Sequence, residues 1–260
     1  MAKTRAHLTP AEAAERGLLC KKELKALGLM PGPTTNRADT VWQGRSAYNV
    51  YAPADCVTYV RQPSQALLRR REVAREAAEW LGCDTVILDT ETTGLDDAEI
   101  VEIAIIDTAG NVLLDSLVRP TRPIPAEATE IHGITDEMVA SAPTWAEIYP
   151  QYQASVAGKA IVAYNAEFDA AMVEKTCRAN GIEQPGKKTL RPAGEWRCAM
   201  RLYARWSGEK RDDGNLRWHK LTVAAEACRV QEPGAHRALA DARMTLGVVQ
   251  HLSQRRSGRK

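Results

Sequence analysis

The sequence predicts an α/β fold: a mixed sheet of three antiparallel strands followed by parallel βα units, flanked by helices, with a small N-terminal helical and β-prone appendage. Two observations predict it. Three short apolar runs, Thr85–Asp89, Glu99–Ile106 and Asn111–Val118, follow one another across turn-like segments at Asp96-Asp97 and Ala109-Gly110-Asn111. Strands joined so closely pair antiparallel, because parallel neighbours need a long crossover. After residue 143 the pattern changes to helix (143–157), buried strand (Lys159–Tyr164) and helix (Ala166–Asn180), the alternation expected of βα units.

The individual elements follow from local chemistry. Thr9-Pro10-Ala11-Glu12 combines an N-cap, a proline in the first turn and a capping glutamate, so a helix begins at Thr9. A second short helix over residues 20–27 stops at Gly28, ahead of the Pro31-Gly32-Pro33 breaker. Val41–Tyr59 is aromatic and β-prone, interrupted at Gly44 and Pro53, which suits a hairpin. Ser64 caps a longer helix in which Val73, Ala77, Trp80 and Leu81 recur at helical spacing and Gly82 ends the run. Asn165 caps helix 166–180 and Gly181 closes it. A last strand near Trp196–Cys198 runs into helix; the polar loop Ser207–Gly214 and helices at 220–229 and 237–254 finish the domain. The organisation expected is an accessory region over 1–82, the main domain over 83–254 and a basic tail over 255–260.

Composition narrows the function classes. The 260 residues hold 44% apolar and 26% charged side chains, as ordinary globular proteins do. No stretch is long and apolar enough for a membrane span, and the N-terminus lacks the apolar core of a secretory signal, which predicts a cytoplasmic location. The six cysteines are scattered, which argues against a disulfide framework or a cysteine-rich zinc site. Net charge is only +2, but residues 1–80 carry 13 Lys+Arg against 8 Asp+Glu, while the whole chain carries 35 against 33. The remainder is therefore acidic, and bound divalent cations would let a polyanion approach it.

Three stretches concentrate the acidic chemistry. Asp89 and Glu91 in VILDTETTGL lie two apart on a strand and leave the same face. Side by side they repel unless a cation sits between them; taken alone, the pair is as readily a solvated strand end. Thr92-Thr93-Gly94-Leu95 follows directly, with hydroxyls, a permissive glycine and an apolar side chain suited to a terminal nucleotide, or to an ordinary turn. Asp169, in AYNAEFDAAMV, falls in the first turn of its helix, where the dipole also favours a carboxylate. Phe168, the single phenylalanine, is a core residue or a stacking platform. In HRALADARMT, His236 and Asp241 are five apart and follow the break at Pro233-Gly234, so His236 belongs to a loop and Asp241 to the helix after it. An imidazole with a pKa near 6.5 suits proton transfer from water.

Together these motifs resemble the DEDDh branch of the DEDD exonuclease superfamily, whose fold is ribonuclease H-like and which includes the polymerase III epsilon subunit and RNase T. The first motif matches as Asp89-Thr90-Glu91-Thr92-Thr93-Gly94-Leu95, the second as Asn165-Ala166-Glu167-Phe168-Asp169 and the third as His236-x-Ala238-x-x-Asp241. Ile131-His132-Gly133-Ile134-Thr135 resembles the family's His-Gly-Ile segment. The resemblance covers residues 84–250 and departs at Tyr164, where many members have histidine; the position lies outside the ligand set, so altered packing around the site is expected there, not lost activity. It implies Asp89, Glu91, Asp169 and Asp241 as ligands to two Mg²⁺ or Mn²⁺ ions and His236 as general base. It further implies a 3′→5′ exonuclease releasing nucleoside 5′-monophosphates from DNA or RNA 3′ ends, single-stranded above all. Thr92, Thr93, Gly94, Leu95, His132, Asn165 and Phe168 would hold the terminal nucleotides.

Two alternatives are weighed against this reading. A catalytically silent binding module would have lost a ligand or the histidine, and all five residues are present. A proofreading subunit would need a separate polymerase chain; residues 1–82 would serve as the docking element for a polymerase or repair partner. Arg37, Arg45, Arg61 and Arg69-Arg70-Arg71, interleaved with Trp42, Tyr48, Tyr51 and Tyr59, equally suit single-strand binding or a cap whose aromatics pack internally. The loop Ser207–Trp218 and the basic tail are further candidate substrate contacts.

Overall fold

Thr9 caps the first helix as its sequence dictates: its side chain takes the Glu12 N–H at 3.3 Å while the Glu12 carboxylate takes the Thr9 N–H at 2.7 Å. The computed structural model describes residues 7–59, 63–82, 84–182, 195–234 and 236–254, so Arg61 and the basic tail lie outside the described residues. The chain divides into two compact units between Ser64 and Gln65. The first contains α1 (Pro10–Glu15), β1 (Leu19–Cys20), α2 (Lys21–Ala26), β2 (Leu29–Met30), β3 (Asp39–Gln43), β4 (Ser46–Tyr51) and β5 (Val57–Thr58). β3 and β4 form the expected hairpin across Gly44, and β1 adds antiparallel to β4. β2 pairs separately with β5. Leu8, Ala13, Val41 and Val50 make a small core of their own.

The second unit begins with α3 (Gln65–Gly82), which the sequence reading assigned to the accessory region ending at residue 82. Its stripe of Val73, Ala77 and Trp80 finds its apolar partners in Leu202, Tyr203, Val248 and Leu252, so the helix is a wall of the larger unit. Apolar burial places it, and the boundary moves to Ser64.

The strands β6 (Thr85–Thr92), β7 (Ile100–Asp107) and β8 (Val112–Leu117) form the antiparallel meander expected. Helices α4 (Ala126–His132), α5 (Asp136–Val139) and α6 (Trp145–Val156) lead to β9 (Ala160–Ala163), which runs parallel to β6. Then come α7 (Ala166–Ala179), β10 (Trp196–Cys198), α8 (Ala199–Ser207), α9 (Leu221–Cys228) and α10 (Ala238–Ser253). β10 is parallel to β9, and the sheet order is β10-β9-β6-β7-β8. Alternation along the strands sends Ile87, Ala104, Ile106 and Val162 into a core with α3, α8, α9 and α10. Val86, Leu88, Ile103, Ile105 and Ile161 face a second core with α6 and α7. Helices on both faces of a mixed sheet are the arrangement the sequence predicts.

Candidate active site

The register of β6 decides where its carboxylates go. Ile87 pairs with Ile106, Asp89 with Ala104 and Glu91 with Glu102, so Asp89 and Glu91 continue the face that Ile87 turns toward α10. Asp241 sits in the first turn of α10. Asp89, Glu91 and Asp241 each offer a carboxylate oxygen, and these atoms lie within 4.8 Å of one another. An all-oxygen cluster of this kind fits hard divalent cations.

Asp169 lies beside this trio but outside the 4.8 Å set. β9 pairs with β6 only through Ile87, so the edge of β6 beyond that point is open, and the first turn of α7 fills it. Asp169 Oδ1 accepts the Thr90 hydroxyl at 2.9 Å. Thr90 is a site residue the motif reading did not single out.

The electrostatics are those of acids held together with only partial compensation. Burial, then the charges of Asp169, Asp241, Glu91 and Glu102, push Asp89 well above the usual carboxylate range. Burial, then Asp241, Glu102 and Asp169, raises Glu91 to about 8, with Arg237 opposing. Burial raises Asp169 to about 7 against the Thr90 hydrogen bond. Asp241 is raised by burial, against the pull of a backbone hydrogen bond from His236. Four carboxyls so placed ionise together only when cations join them.

His236 is exposed on the loop before α10, where its backbone takes a left-handed conformation, φ +66°. Its N–H donates to Asp241 Oδ1 at 3.2 Å, which ties the loop to a cluster carboxylate. The next residue, Arg237, reaches back to Glu102, and the Ala238 N–H donates to the same carboxylate. Neither Glu102 nor Arg237 belongs to the motif set. The signal for Glu102 is in the sequence: the one acid inside the apolar run Ile100–Ile106 must be paired if it is buried.

The expected nucleotide-contact residues separate into two groups. Leu95 is 74% exposed, and Thr93, Gly94 and Phe168 are half-buried. Asn165 is exposed at the N-cap of α7 with no side-chain cap bond. The Thr93 N–H donates to the Glu99 carbonyl at 2.9 Å and the Glu99 N–H to Thr93 Oγ1 at 3.0 Å, which pins both ends of the 93–99 loop. Thr92 and His132 are buried. His132 Nδ1 accepts the Ile134 N–H at 3.0 Å, so Nε2 carries the proton and donates to the Thr92 carbonyl at 3.2 Å. Both nitrogens of His132 are engaged internally, and burial lowers its pKa, so its ring ties the Thr92 end of the loop to the turn at Ile134. The Tyr164 hydroxyl donates to the His219 carbonyl at 2.8 Å, anchoring the base of the Ser207–Trp218 loop; Trp218 is 60% exposed.

A family model described as exonuclease, named for RNase T, matches residues 86–249. A protein of Escherichia phage 186 called uncharacterized exonuclease CP81 is 48% identical over 187 residues, which cover 70% of this chain and 94% of that protein. Exodeoxyribonuclease 10 of Escherichia coli K12 is 36% identical over 170 residues, 63% of this chain and 66% of its own length. Among solved structures, the nuclease domain of 3′hExo, titled a DEDDh family member bound to rAMP, superposes with a TM-score of 0.51 at 17% identity. It covers 65% of this chain and 91% of that one. At that identity the likeness concerns the fold alone.

Proposed function

The chain belongs to the RNase T exonuclease family, and on that footing we propose that it is a DEDDh-type 3′→5′ exonuclease that removes nucleoside 5′-monophosphates from DNA. The observation that carries this reading is the convergence of Asp89, Glu91 and Asp241 within 4.8 Å, with Asp169 alongside and the His236 backbone N–H bonded to Asp241. DNA is favoured over RNA by the name of the E. coli relative, an exodeoxyribonuclease.

In this mechanism Asp89, Glu91, Asp169 and Asp241 would hold two divalent cations, Mg²⁺ or Mn²⁺, which would supply the positive charge that neutralises the carboxylates, lets the phosphate approach and polarises its P–O bonds. His236, exposed at the rim, takes a proton from the attacking water. Water oxygen adds to phosphorus, the bond from phosphorus to the 3′ oxygen breaks with its electron pair going to that oxygen, which takes a proton from solvent; the shortened strand is left with a 3′ hydroxyl and the nucleotide departs as its 5′-monophosphate. Thr93, Gly94 and Leu95, on the loop that His132 braces through Thr92, meet the terminal nucleotide together with Asn165 and Phe168. The exposed side chain of Leu95 abuts the terminal base.

The test is digestion of matched DNA and RNA oligonucleotides, single-stranded and with 3′ overhangs, blocked or free at the 3′ end. The expected result is stepwise shortening of DNA with Mg²⁺, abolished by EDTA, by Asp89→Ala and by a 3′ block. Shortening that resists EDTA, or that only a 5′ block stops, overturns the reading. Binding with no metal-dependent shortening points instead to a silent module.

A further inference from the structure

We infer that the Glu102–Arg237 pair is a positioning device for the general base, holding the His236 loop in register with the carboxylate cluster. The inference rests on the function proposed above and deepens it. Both residues act through His236, without touching substrate.

Glu102 lies on β7, cross-strand from Glu91, and is 4% exposed. Arg237 Nε approaches both of its oxygens at 3.1 Å, and Nη2 donates to Oε1 at 2.5 Å. The Ala238 N–H donates to Oε2 at 2.9 Å. The two residues that follow His236 are thereby fixed to a central strand 135 positions earlier in the chain. On its other side, the His236 N–H is fixed to Asp241 Oδ1.

The loop needs such a clamp. It leaves the break at Pro233-Gly234, its histidine is exposed, and a non-glycine residue at φ +66° persists only where its surroundings over-determine it. A fork of two parallel N–H donors fixes direction as well as distance, which a point charge does not. If Glu102 existed only to stabilise the sheet, an apolar side chain at that register would serve without needing a partner. Its partner is instead the neighbour of the proposed base.

The experiment compares Arg237→Met, Arg237→Lys, Glu102→Gln and His236→Ala in the full chain, using a labelled DNA oligonucleotide with Mg²⁺ raised to saturation. Arg237→Met is expected to lower kcat about 100-fold, the scale of one general base, with KM at saturating Mg²⁺ within about twofold. Arg237→Lys keeps the charge without the fork and recovers about tenfold of that loss. Adding Arg237→Met to His236→Ala slows the enzyme no further, because a clamp has no effect once its base is gone. Free imidazole restores part of the rate in both single variants.

Independently of activity, amide exchange at residues 236–238 accelerates in Arg237→Met while β6 and β7 stay protected. Glu102→Gln keeps an acceptor for the Ala238 N–H and serves if Arg237→Met fails to fold, with the same kinetic and exchange signature expected. Additive losses in the double variant at saturating Mg²⁺, or unchanged exchange, overturn the inference. Absence of metal-dependent shortening in the unmodified chain overturns the proposed function instead, and the exchange measurement still decides whether the clamp exists.

Discussion

Asp89→Asn should abolish catalysis and, in the absence of metal, make the protein more stable. Three carboxylate oxygens within 4.8 Å of one another repel by about 3.5 kcal/mol per ionised pair at an effective dielectric of about 20. Asp89 is half-buried, so solvent screening reduces this, and raised pKa values mean that only part of the cluster is ionised at once. A net gain of about 1–2 kcal/mol remains for the amide, or roughly 2–8 °C in Tm for a unit of this size. Glu91 titrates near 8 and Asp169 near 7 in the folded chain, against 4.5 and 3.8 as reference values. Between those limits the folded state therefore holds more protons than the unfolded one. Metal-free stability is full below the reference values, falls as pH rises toward 8 and flattens above it. The assay is thermal unfolding of both proteins in EDTA and in saturating Mg²⁺ at pH 5.5, 7 and 8.5. The stabilisation by Asn should grow with pH, and Mg²⁺ should stabilise the unmodified protein more than the variant. A variant less stable in EDTA at pH 8.5, or equal Mg²⁺ effects on both proteins, would show that these acids do not form a repelling cluster.

Three further substitutions separate bracing from contact. His132→Ala leaves the Thr92 carbonyl and the Ile134 N–H without partners, so unfolding in urea should report a loss of about 2–4 kcal/mol; a KM increase at unchanged stability would make His132 a direct contact after all. Leu95→Ala, at an exposed position, should leave Tm unchanged and raise KM several-fold in a steady-state assay; unchanged kinetics would remove Leu95 from the nucleotide site. Tyr164→Phe deletes the bond to the His219 carbonyl and should cost about 1 kcal/mol with kcat within about twofold. A large kcat loss would give that tyrosine a role beyond anchoring the loop.

The parts of the molecule legible in sequence are those set by short-range rules. Asp89 and Glu91 share a face because strands alternate, and the Thr9 capping box forms because four consecutive residues suffice for it. What stayed hidden depends on pairings across the chain. The stripe Val73, Ala77 and Trp80 announced a buried face without saying what buries it, which is why α3 was expected in the accessory region. Glu102 was legible as an anomaly in an apolar strand, but its partner lies 135 residues away on a loop. The two internal hydrogen bonds of His132, to the Thr92 carbonyl and from the Ile134 N–H, cannot be read from the His-Gly-Ile segment alone, because the first of them spans 40 residues.

The topology explains why the site forms where it does. β6 is antiparallel to β7 on one side and parallel to β9 on the other, so the sheet changes sense at its carboxyl end. Crevices at such switch points are where open α/β sheets bind ligands. Here β9 stops pairing at Ile87, two residues before Asp89, and the α7 turn bearing Asp169 enters the gap. On the opposite face α10 starts beside Glu102 and brings Asp241 up to the strand. Each helix thus presents its first turn, where the dipole favours a carboxylate, to the same strand end. That partial positive charge offsets some of the repulsion among the four acids before any cation binds. The N-terminal turns of α7 and α10 should therefore be the segments most sensitive to metal removal in amide exchange, while the centre of β6 stays protected. Uniform exchange across all three elements on adding EDTA would mean that the helices, and not the ions, hold the site together.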